Sequence, residues 1–156
     1  LDPAERVYRL TRKNISIAAN KAEYAINASN ERLWPEAVRA YIEDLKAGKQ
    51  GPRQLDFNMR WVGSLVAEAY RIMIRGGIFL YPGDARKGYE QGRLRLVYEA
   101  IPLALLVSEA GGSATDGITP ILDIKPESLH QRVSLVFGPP AEVERIAHYY
   151  EARPSD

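Results

Sequence analysis

The feature that most constrains the fold is a short apolar run enclosed by glycine and proline. Residues 78–81 read Ile-Phe-Leu-Tyr, with a Gly-Gly pair before them and Pro-Gly after them. This punctuation predicts a buried strand, because glycine pairs end helices and Pro-Gly starts turns. Helical patterns at about 59–75 and 94–109 lie on either side of it. Alternation of strands and helices is typical of an α/β domain. We therefore predict a three-layer α/β/α domain with a central mixed sheet, formed as a single domain by residues 1–156.

Apolar periodicity predicts the remaining elements. Further strands are expected at 7–10, 23–27, 113–115, 121–124 and 133–137. A helix is expected from Pro35 to about Gly48, with an apolar face made of Val38, Tyr41, Ile42 and Leu45. Another is expected over 140–151, with Val143, Ile146, Ala147 and Tyr150 at helical spacing. The helix at 59–75 should bury an apolar stripe made of Val62, Leu65, Val66, Ala69 and Met73. The helix at 94–109 is apolar on most sides, which predicts a position deep in the domain. Pro102 predicts a kink or a local break in it.

Composition excludes several classes of protein. Twenty-one Lys and Arg against 20 Asp and Glu give a net charge of +1, which argues against a nucleic-acid-binding module. No apolar run is long enough to span a membrane. The chain has no cysteine and two histidines, so a thiolate metal site or a multi-histidine zinc site is not expected. A cysteine-free chain without a signal peptide fits the cytoplasm.

Residues 92–102 are the segment most indicative of function, because they combine two arginines and a glutamate with apolar neighbours. They read Gly-Arg-Leu-Arg-Leu-Val-Tyr-Glu-Ala-Ile-Pro. Arg95 and Glu99 are four residues apart, so one interpretation is an ion pair on a helix. The apolar neighbours of Glu99 favour a second interpretation, because a carboxylate with little solvent around it needs a cation or hydrogen-bond donors. Glutamate oxygen is a hard ligand that suits Mg²⁺, with Mn²⁺ as an alternative.

This segment resembles the active-site signature of the class 1 fructose-1,6-bisphosphatases. The resemblance continues in the family's order over residues 5–150. It includes these segments: Tyr24-Ala-Ile-Asn27, Arg60-Trp-Val-Gly63-Ser64-Leu65, Gly76-Gly-Ile-Phe-Leu-Tyr81, Ile121-Leu-Asp-Ile and Leu129-His-Gln-Arg132. It implies the C-terminal domain of the sugar phosphatase fold. The chain opens on Leu-Asp-Pro at the point where the family's N-terminal domain ends, so we expect a piece of a longer protein.

The resemblance also implies roles for individual residues. Glu99 matches a metal ligand, and Arg60 matches an arginine that reaches a neighbouring subunit's site. The other positions would bind the sugar or its 6-phosphate: Asn27, Asn30, Trp61, Gly63, Ser64, Leu65, Tyr81 and Arg93. Trp61 and Asn30 stand where the family usually has tyrosine. Taken singly, each of these residues is more simply explained as a surface, turn or core residue.

The function implied is that of the C-terminal half of a Mg²⁺-dependent enzyme of carbohydrate metabolism and gluconeogenesis. It would hydrolyse the 1-phosphate of fructose 1,6-bisphosphate, and the family is typically a homotetramer. The Asp-Pro-x-Asp-Gly-Ser motif that supplies further metal ligands is absent from these 156 residues, so the chain alone is expected to be inactive. The alternatives are a sedoheptulose-1,7-bisphosphatase or dual-specificity relative, and a non-catalytic sugar-phosphate-binding module. We interpret His130 and Arg132 as parts of a structural corner in which imidazole and guanidinium bind backbone carbonyls, and His148 as a surface residue.

Overall fold

The predicted central sheet is present in the computed structural model, which describes residues 2–152. In this part of the chain, five strands form the main sheet in the order β2-β1-β3-β7-β5, and β4 pairs with β6 in a small second sheet. The strands are Glu23–Ala25 (β1), Asn58–Met59 (β2), Ile78–Tyr81 (β3), Leu94–Arg95 (β4), Ser113–Thr115 (β5), Arg132–Val133 (β6) and Leu135–Gly138 (β7).

The main sheet is mixed. Strand β1 is parallel to both β2 and β3, whereas β7 is antiparallel to β3 and to β5. Parallel strands end at the same edge of a sheet, so the carboxyl ends of β2, β1 and β3 lie side by side. Both the α/β class and the mixed sheet were predicted, and both are confirmed.

Helices cover both faces of this sheet, as the three-layer prediction requires. They are Glu36–Lys46 (α1), Leu65–Arg75 (α2), Ile101–Glu109 (α3) and Pro140–Ala152 (α4). Alternate side chains of β3 point to opposite faces of the sheet. Ile78 and Leu80 pack with α1 and α4, and Phe79 packs with α2 and α3. Each face therefore has its own apolar core.

The helix α1 follows its predicted pattern. Pro35 precedes its first residue, and its four predicted core positions, Val38, Tyr41, Ile42 and Leu45, are all buried. Against it packs α4, where Val143 and Ile146 are buried as predicted.

Helix α2 is shorter than predicted. The prediction of a helix from residue 59 is wrong, because residues 58–59 form the edge strand β2 and the helix begins at Leu65. Gly63, with a φ of +78°, turns the chain between the two elements. The predicted buried stripe is also wrong in part: Val62 and Val66 are exposed. The buried face of α2 consists of Glu68, Ala69 and Ile72.

The predicted helix at 94–109 is divided into three elements. Strand β4 is followed by a single π-helical turn, Leu96–Ala100, and then by α3. Pro102 lies in the first turn of α3, where a missing N–H is tolerated, directly after the π-helical turn. Of the two predicted alternatives, the local break is therefore the one observed. The helix is not buried on every side, since Leu105 and Leu106 are about half exposed. An apolar groove of about 420 Å³ lies between α2 and α3.

Two predicted strands are wrong and a third is interrupted. Val7 forms only an isolated bridge with Asp2, and no neighbouring strand pairs with residues 7–10 in the described part of the chain. Residues 121–124 contain a 3₁₀ turn, Ile121–Asp123. The strand predicted at 133–137 is divided at Ser134 into β6 and β7. No helix within residues 2–152 is both long and apolar enough to cross a membrane.

Candidate functional site

Several predicted site residues meet at the carboxyl edge of the parallel strands. Trp61 follows β2, Asn27 follows β1, and Tyr81 ends β3. Strand β1 is parallel to β3, with Ala25 paired to Phe79, so Asn27 and Tyr81 both lie at the carboxyl edge of the sheet. The rings of Trp61 and Tyr81 have their centroids 6.0 Å apart. Ligands of open α/β sheets bind at this edge, so the structure gathers these three side chains in the expected place.

Two asparagines lie just after β1. Asn27 caps the 3₁₀ turn Ala28–Leu33, and its Oδ1 accepts a hydrogen bond from the Ser29 N–H at 3.2 Å. This contact leaves its side-chain amide N–H₂ as a donor. Asn30 belongs to the same turn and donates its backbone N–H to the Asn27 carbonyl at 3.1 Å. Both side chains are partly exposed.

Arg60 lies at the edge of the sheet. Its backbone N–H donates to the Tyr24 carbonyl at 2.8 Å, which continues the β1–β2 pairing. Its side chain is 54% exposed, and its Nε lies 3.7 Å from an oxygen of Glu23. The guanidinium is therefore accessible from outside the domain.

Glu68 fixes the segment that joins β2 to α2. Its carboxylate is fully buried, accepts the backbone N–H of Val62, and binds the Arg71 guanidinium through two hydrogen bonds. The same segment contains three predicted sugar-lining residues: Gly63, Ser64 and Leu65. Ser64 is exposed directly before α2, and its hydroxyl makes no capping bond. Sequence reasoning missed Glu68 as a positioning residue, although its spacing of three from Arg71 on an apolar helix was a usable signal.

Glu23 is a second buried carboxylate that sequence reasoning missed. It is 3% exposed and accepts hydrogen bonds from Arg71 at 2.9 Å and Arg75 at 3.0 Å, with Lys21 3.5 Å away. Burial acts to raise the pKa of Glu23, but Arg75, Lys21, Arg71 and Arg60 together hold it below its ordinary value. The cluster ties the start of β1 to α2 and to Arg60.

Arg93 lies near the same edge of the sheet, directly before strand β4. It precedes Leu94, which pairs with Val133, and β7 then starts beside Tyr81. Its Nε is 3.8 Å from Asp84, too long for a hydrogen bond, and its guanidinium has no hydrogen-bond partner among the described residues. A partly buried guanidinium with free donors is suited to an anion.

Glu99 lies in the π-helical turn. Its Oε2 accepts the backbone N–H of Arg95 at 2.6 Å, and the Arg95 guanidinium instead donates to the Arg93 carbonyl at 3.1 Å. The helical ion pair considered from the sequence is therefore wrong, because Arg95 precedes the turn with extended backbone. Glu99 is partly exposed, at one end of the groove between α2 and α3. Within residues 2–152, no cluster of three or more His, Asp or Glu side chains is suited to a metal.

The two histidines have different surroundings. Nδ1 of His130 lies 3.0 Å from the Tyr98 hydroxyl, so the prediction that the imidazole binds a backbone carbonyl is wrong. The accompanying prediction for the arginine of that corner holds, since Arg132 donates to the Gly88 carbonyl at 2.8 Å. His148 is exposed on α4, as predicted.

The chain is an α/β domain with polar and aromatic side chains and a partly buried guanidinium at the carboxyl ends of its parallel strands. The chain belongs to the fructose-1,6-bisphosphatase family: the family model described as "Fructose-1-6-bisphosphatase, C-terminal domain" matches residues 17–151. This confirms the resemblance read from the motifs.

Curated relatives agree with this assignment. The chain is 62% identical over 141 residues to a class 1 fructose-1,6-bisphosphatase of Xanthobacter autotrophicus, covering 90% of this chain and 43% of that protein. It is 62% identical over 138 residues to the enzyme of Sinorhizobium medicae (88% and 40%). It is 55% identical over 151 residues to that of Paracoccus denitrificans (97% and 46%). The chain thus spans less than half the length of these relatives.

Proposed function

We propose that this chain acts as the C-terminal half of a Mg²⁺-dependent fructose 1,6-bisphosphatase, a phosphoric monoester hydrolase of gluconeogenesis. The reaction would hydrolyse the 1-phosphate of fructose 1,6-bisphosphate and leave fructose 6-phosphate. The observation that carries the proposal is 62% identity, over 90% of this chain, to a protein named for that activity. The gathering of Asn27, Trp61 and Tyr81 at the carboxyl edge of the sheet supports the same conclusion.

In this proposal the half described here binds the sugar and its 6-phosphate. The phosphate would accept hydrogen bonds from Asn27, Tyr81 and Arg93, and Arg60 would add its charge from a neighbouring subunit. Charge-assisted hydrogen bonds from arginine are about twice as strong as neutral ones. The remaining positions would line the sugar: Asn30, Trp61, Gly63, Ser64 and Leu65. The indole N–H of Trp61 would act as the donor where the family has a tyrosine hydroxyl.

Glu99 would hold the metal. Its Oε2 is fixed by the Arg95 N–H, and its Oε1 has no partner among the described residues, so one hard oxygen donor is available. Mg²⁺ needs several oxygen ligands, and the described residues offer no cluster of three carboxylates or imidazoles. The donor set fits one ligand position of a Mg²⁺ site, and in this proposal an N-terminal domain would supply the other ligands. A bound Mg²⁺ would supply charge stabilisation for phosphoryl transfer.

We further propose that the whole protein is a cytoplasmic homotetramer in which an N-terminal domain completes each site. Exposed apolar side chains line the groove between α2 and α3, including Val66, Tyr70 and Leu106. An apolar surface of this kind supports burial against another part of the assembly. The half-exposed position of Arg60 at the sheet edge supports its use by a neighbouring subunit.

The test is phosphate release from fructose 1,6-bisphosphate by the full-length protein with Mg²⁺, with Mn²⁺, and with a chelator. We expect metal-dependent release by the full-length protein and none by the 156-residue chain alone. Faster phosphate release from sedoheptulose 1,7-bisphosphate than from fructose 1,6-bisphosphate would make the sedoheptulose compound the preferred substrate. Binding of fructose 6-phosphate without any hydrolysis by the full-length protein would indicate a non-catalytic sugar-phosphate-binding module.

A further inference from the structure

Three guanidinium groups surround the ring of Tyr89. The Cζ atoms of Arg86, Arg93 and Arg132 lie 5.7, 4.1 and 5.0 Å from the ring centroid. The nearest of the three belongs to Arg93. A cation within about 6 Å of an aromatic ring centroid is attracted to the face of the ring.

The backbone around Tyr89 is held firmly. Its carbonyl accepts hydrogen bonds from the N–H groups of Asp84 and Gly92, both at 3.0 Å, and its own N–H donates to the Arg86 carbonyl at 2.9 Å. The loop formed by residues 83–92 is closed tightly at its base, because a Cβ on Gly83 would lie 2.1 Å from the Glu90 carbonyl oxygen. Tyr89 is therefore a fixed platform for the side chains around it.

The three arginines differ in what their donors already bind. Arg86 is paired with both oxygens of the buried Asp84, which lowers the pKa of that carboxyl. Arg132 donates to the Gly88 carbonyl. Arg93 alone of the three has no hydrogen-bond partner among the described residues, and Asp84 is left 3.8 Å from its Nε.

We infer that Tyr89 is a positioning residue that holds the Arg93 guanidinium ready for a phosphate group of the substrate. The inference rests on the proposed function, and it adds the means by which Arg93 is oriented. A ring face attracts a guanidinium without using its N–H donors, whereas a carboxylate would occupy them. Asp84 attracts Arg93 across 3.8 Å, but its two oxygens accept their hydrogen bonds from Arg86, so the N–H donors of Arg93 stay free. The Tyr89 hydroxyl has no hydrogen bond within residues 2–152, so the ring carries the effect.

The test compares two substitutions in the full-length protein. Tyr89→Leu removes the ring and should raise KM for fructose 1,6-bisphosphate about three- to tenfold, with kcat little changed, because the contact acts on bound phosphate rather than on the reacting bond. Tyr89→Phe keeps the ring and should retain most of the affinity. Thermal unfolding of each variant checks the fold, and Tyr89→Met replaces Tyr89→Leu if the leucine variant is unstable.

A double-mutant cycle shows whether Tyr89 acts through Arg93. If it does, adding Tyr89→Leu to Arg93→Ala should raise KM no further than Arg93→Ala does alone. Two results would overturn the inference in a protein whose wild type hydrolyses the substrate. One is a KM in the double variant raised by the product of the two single effects, and the other is an unchanged KM in Tyr89→Leu. Absence of metal-dependent hydrolysis in the wild type would instead contradict the proposed function.

Discussion

The Glu99 carboxylate accepts a hydrogen bond from the backbone N–H of Arg95 at 2.6 Å. The two residues bracket the start of the π-helical turn, so the bond fixes the carboxylate relative to the backbone rather than to a mobile side chain. One carboxylate oxygen is thereby oriented, and the other is left without a partner among the described residues. This arrangement is suited to a metal ligand that must be held in place without being neutralised.

The first prediction concerns the charge of that carboxylate. Glu99→Gln should lower kcat of the full-length protein about 100-fold or more at saturating Mg²⁺, because a carboxamide lacks the charge that the cation requires. The amide oxygen can still accept the Arg95 N–H, so the fold should persist. The measurement is steady-state phosphate release over a range of Mg²⁺ concentrations, together with thermal unfolding.

The matched control is Glu109→Gln, at the exposed end of α3. It removes the same charge from a carboxylate that the site does not use, and kcat should stay at the wild-type value. Wild-type turnover in Glu99→Gln would assign Glu99 a purely structural role as the acceptor of the Arg95 N–H.

The second prediction separates a shared phosphate site from a surface arginine. Arg60→Ala should raise KM roughly ten- to a hundredfold, since a charge-assisted hydrogen bond contributes about 1.5–3 kcal/mol. The effect should fall mainly on KM, because the 6-phosphate is bound but not transformed. Arg75→Ala is the matched control: both side chains are 54% exposed and both lie near Glu23. It should leave KM unchanged.

Subunit exchange tests whether Arg60 crosses a subunit boundary. Mixing Arg60→Ala with Glu99→Gln should restore some activity, because a subunit with intact Glu99 can use Arg60 from its neighbour. Inactive mixtures, despite verified exchange, would confine the site to one chain.

Local periodicity predicted the elements whose cause is local. The stripe of Val38, Tyr41, Ile42 and Leu45 fixed α1 correctly, and the glycine and proline punctuation fixed β3. The start of α2 was misplaced because apolar residues such as Val62 continue the helical period, while pairing of β2 with β1 and the turn at Gly63 override it. Pairing with a strand more than 30 residues away leaves no trace in a local pattern.

The site was accessible to motif reasoning only in part. Motifs named Asn27, Tyr81 and Arg93, which the structure places at one end of the sheet. They did not reveal Tyr89 or Glu68, because the role of each depends on partners that the fold supplies. The Tyr89 ring meets Arg132 across 43 positions of sequence, and the buried Glu68 binds both Arg71 and the Val62 N–H. Such contacts follow from packing, which periodicity does not encode.

The third prediction is a pH dependence of stability. The pKa of Glu23 in the folded chain lies below its ordinary value of 4.5, so its ion pairs stabilise the fold fully above that value. The contribution is lost as pH falls through the folded pKa. Glu23→Gln should therefore lower the free energy of unfolding by about 1–3 kcal/mol near neutral pH. The difference from wild type should shrink in acid, which urea unfolding at several pH values measures.

Glu109→Gln again provides the comparison, because its carboxylate is exposed. Its stability should follow that of the wild type at each pH. A Glu23→Gln deficit of the same size at about pH 3 as at about pH 7 would mean that packing, and not the carboxylate charge, is what the substitution removes.

The fourth prediction concerns Glu68, which ties the Val62 N–H to α2. Glu68→Ala should lower the free energy of unfolding by about 1–3 kcal/mol, because it removes the acceptor of the Val62 N–H and one of the two carboxylates that bind the mostly buried Arg71. Freed from this bond, the segment that carries Trp61 should loosen, and the stacking of Trp61 on Phe79, 6.1 Å between centroids, should weaken. Trp34 and Trp61 are the two tryptophans of these 156 residues. In a Trp34→Phe background, the difference in tryptophan emission between Glu68→Ala and its parent therefore reports on Trp61, and the emission should shift to longer wavelength.

Glu68→Gln distinguishes the acceptor from the charge. Its amide oxygen can still accept the Val62 N–H, so the emission of Trp61 should stay close to that of the parent, even though the pair with Arg71 is weakened. Arg71 keeps its second partner, Glu23, at 2.9 Å, which limits the loss of stability. An equal red shift in both variants would mean that the charge pair with Arg71, rather than the bond to Val62, holds the segment in place.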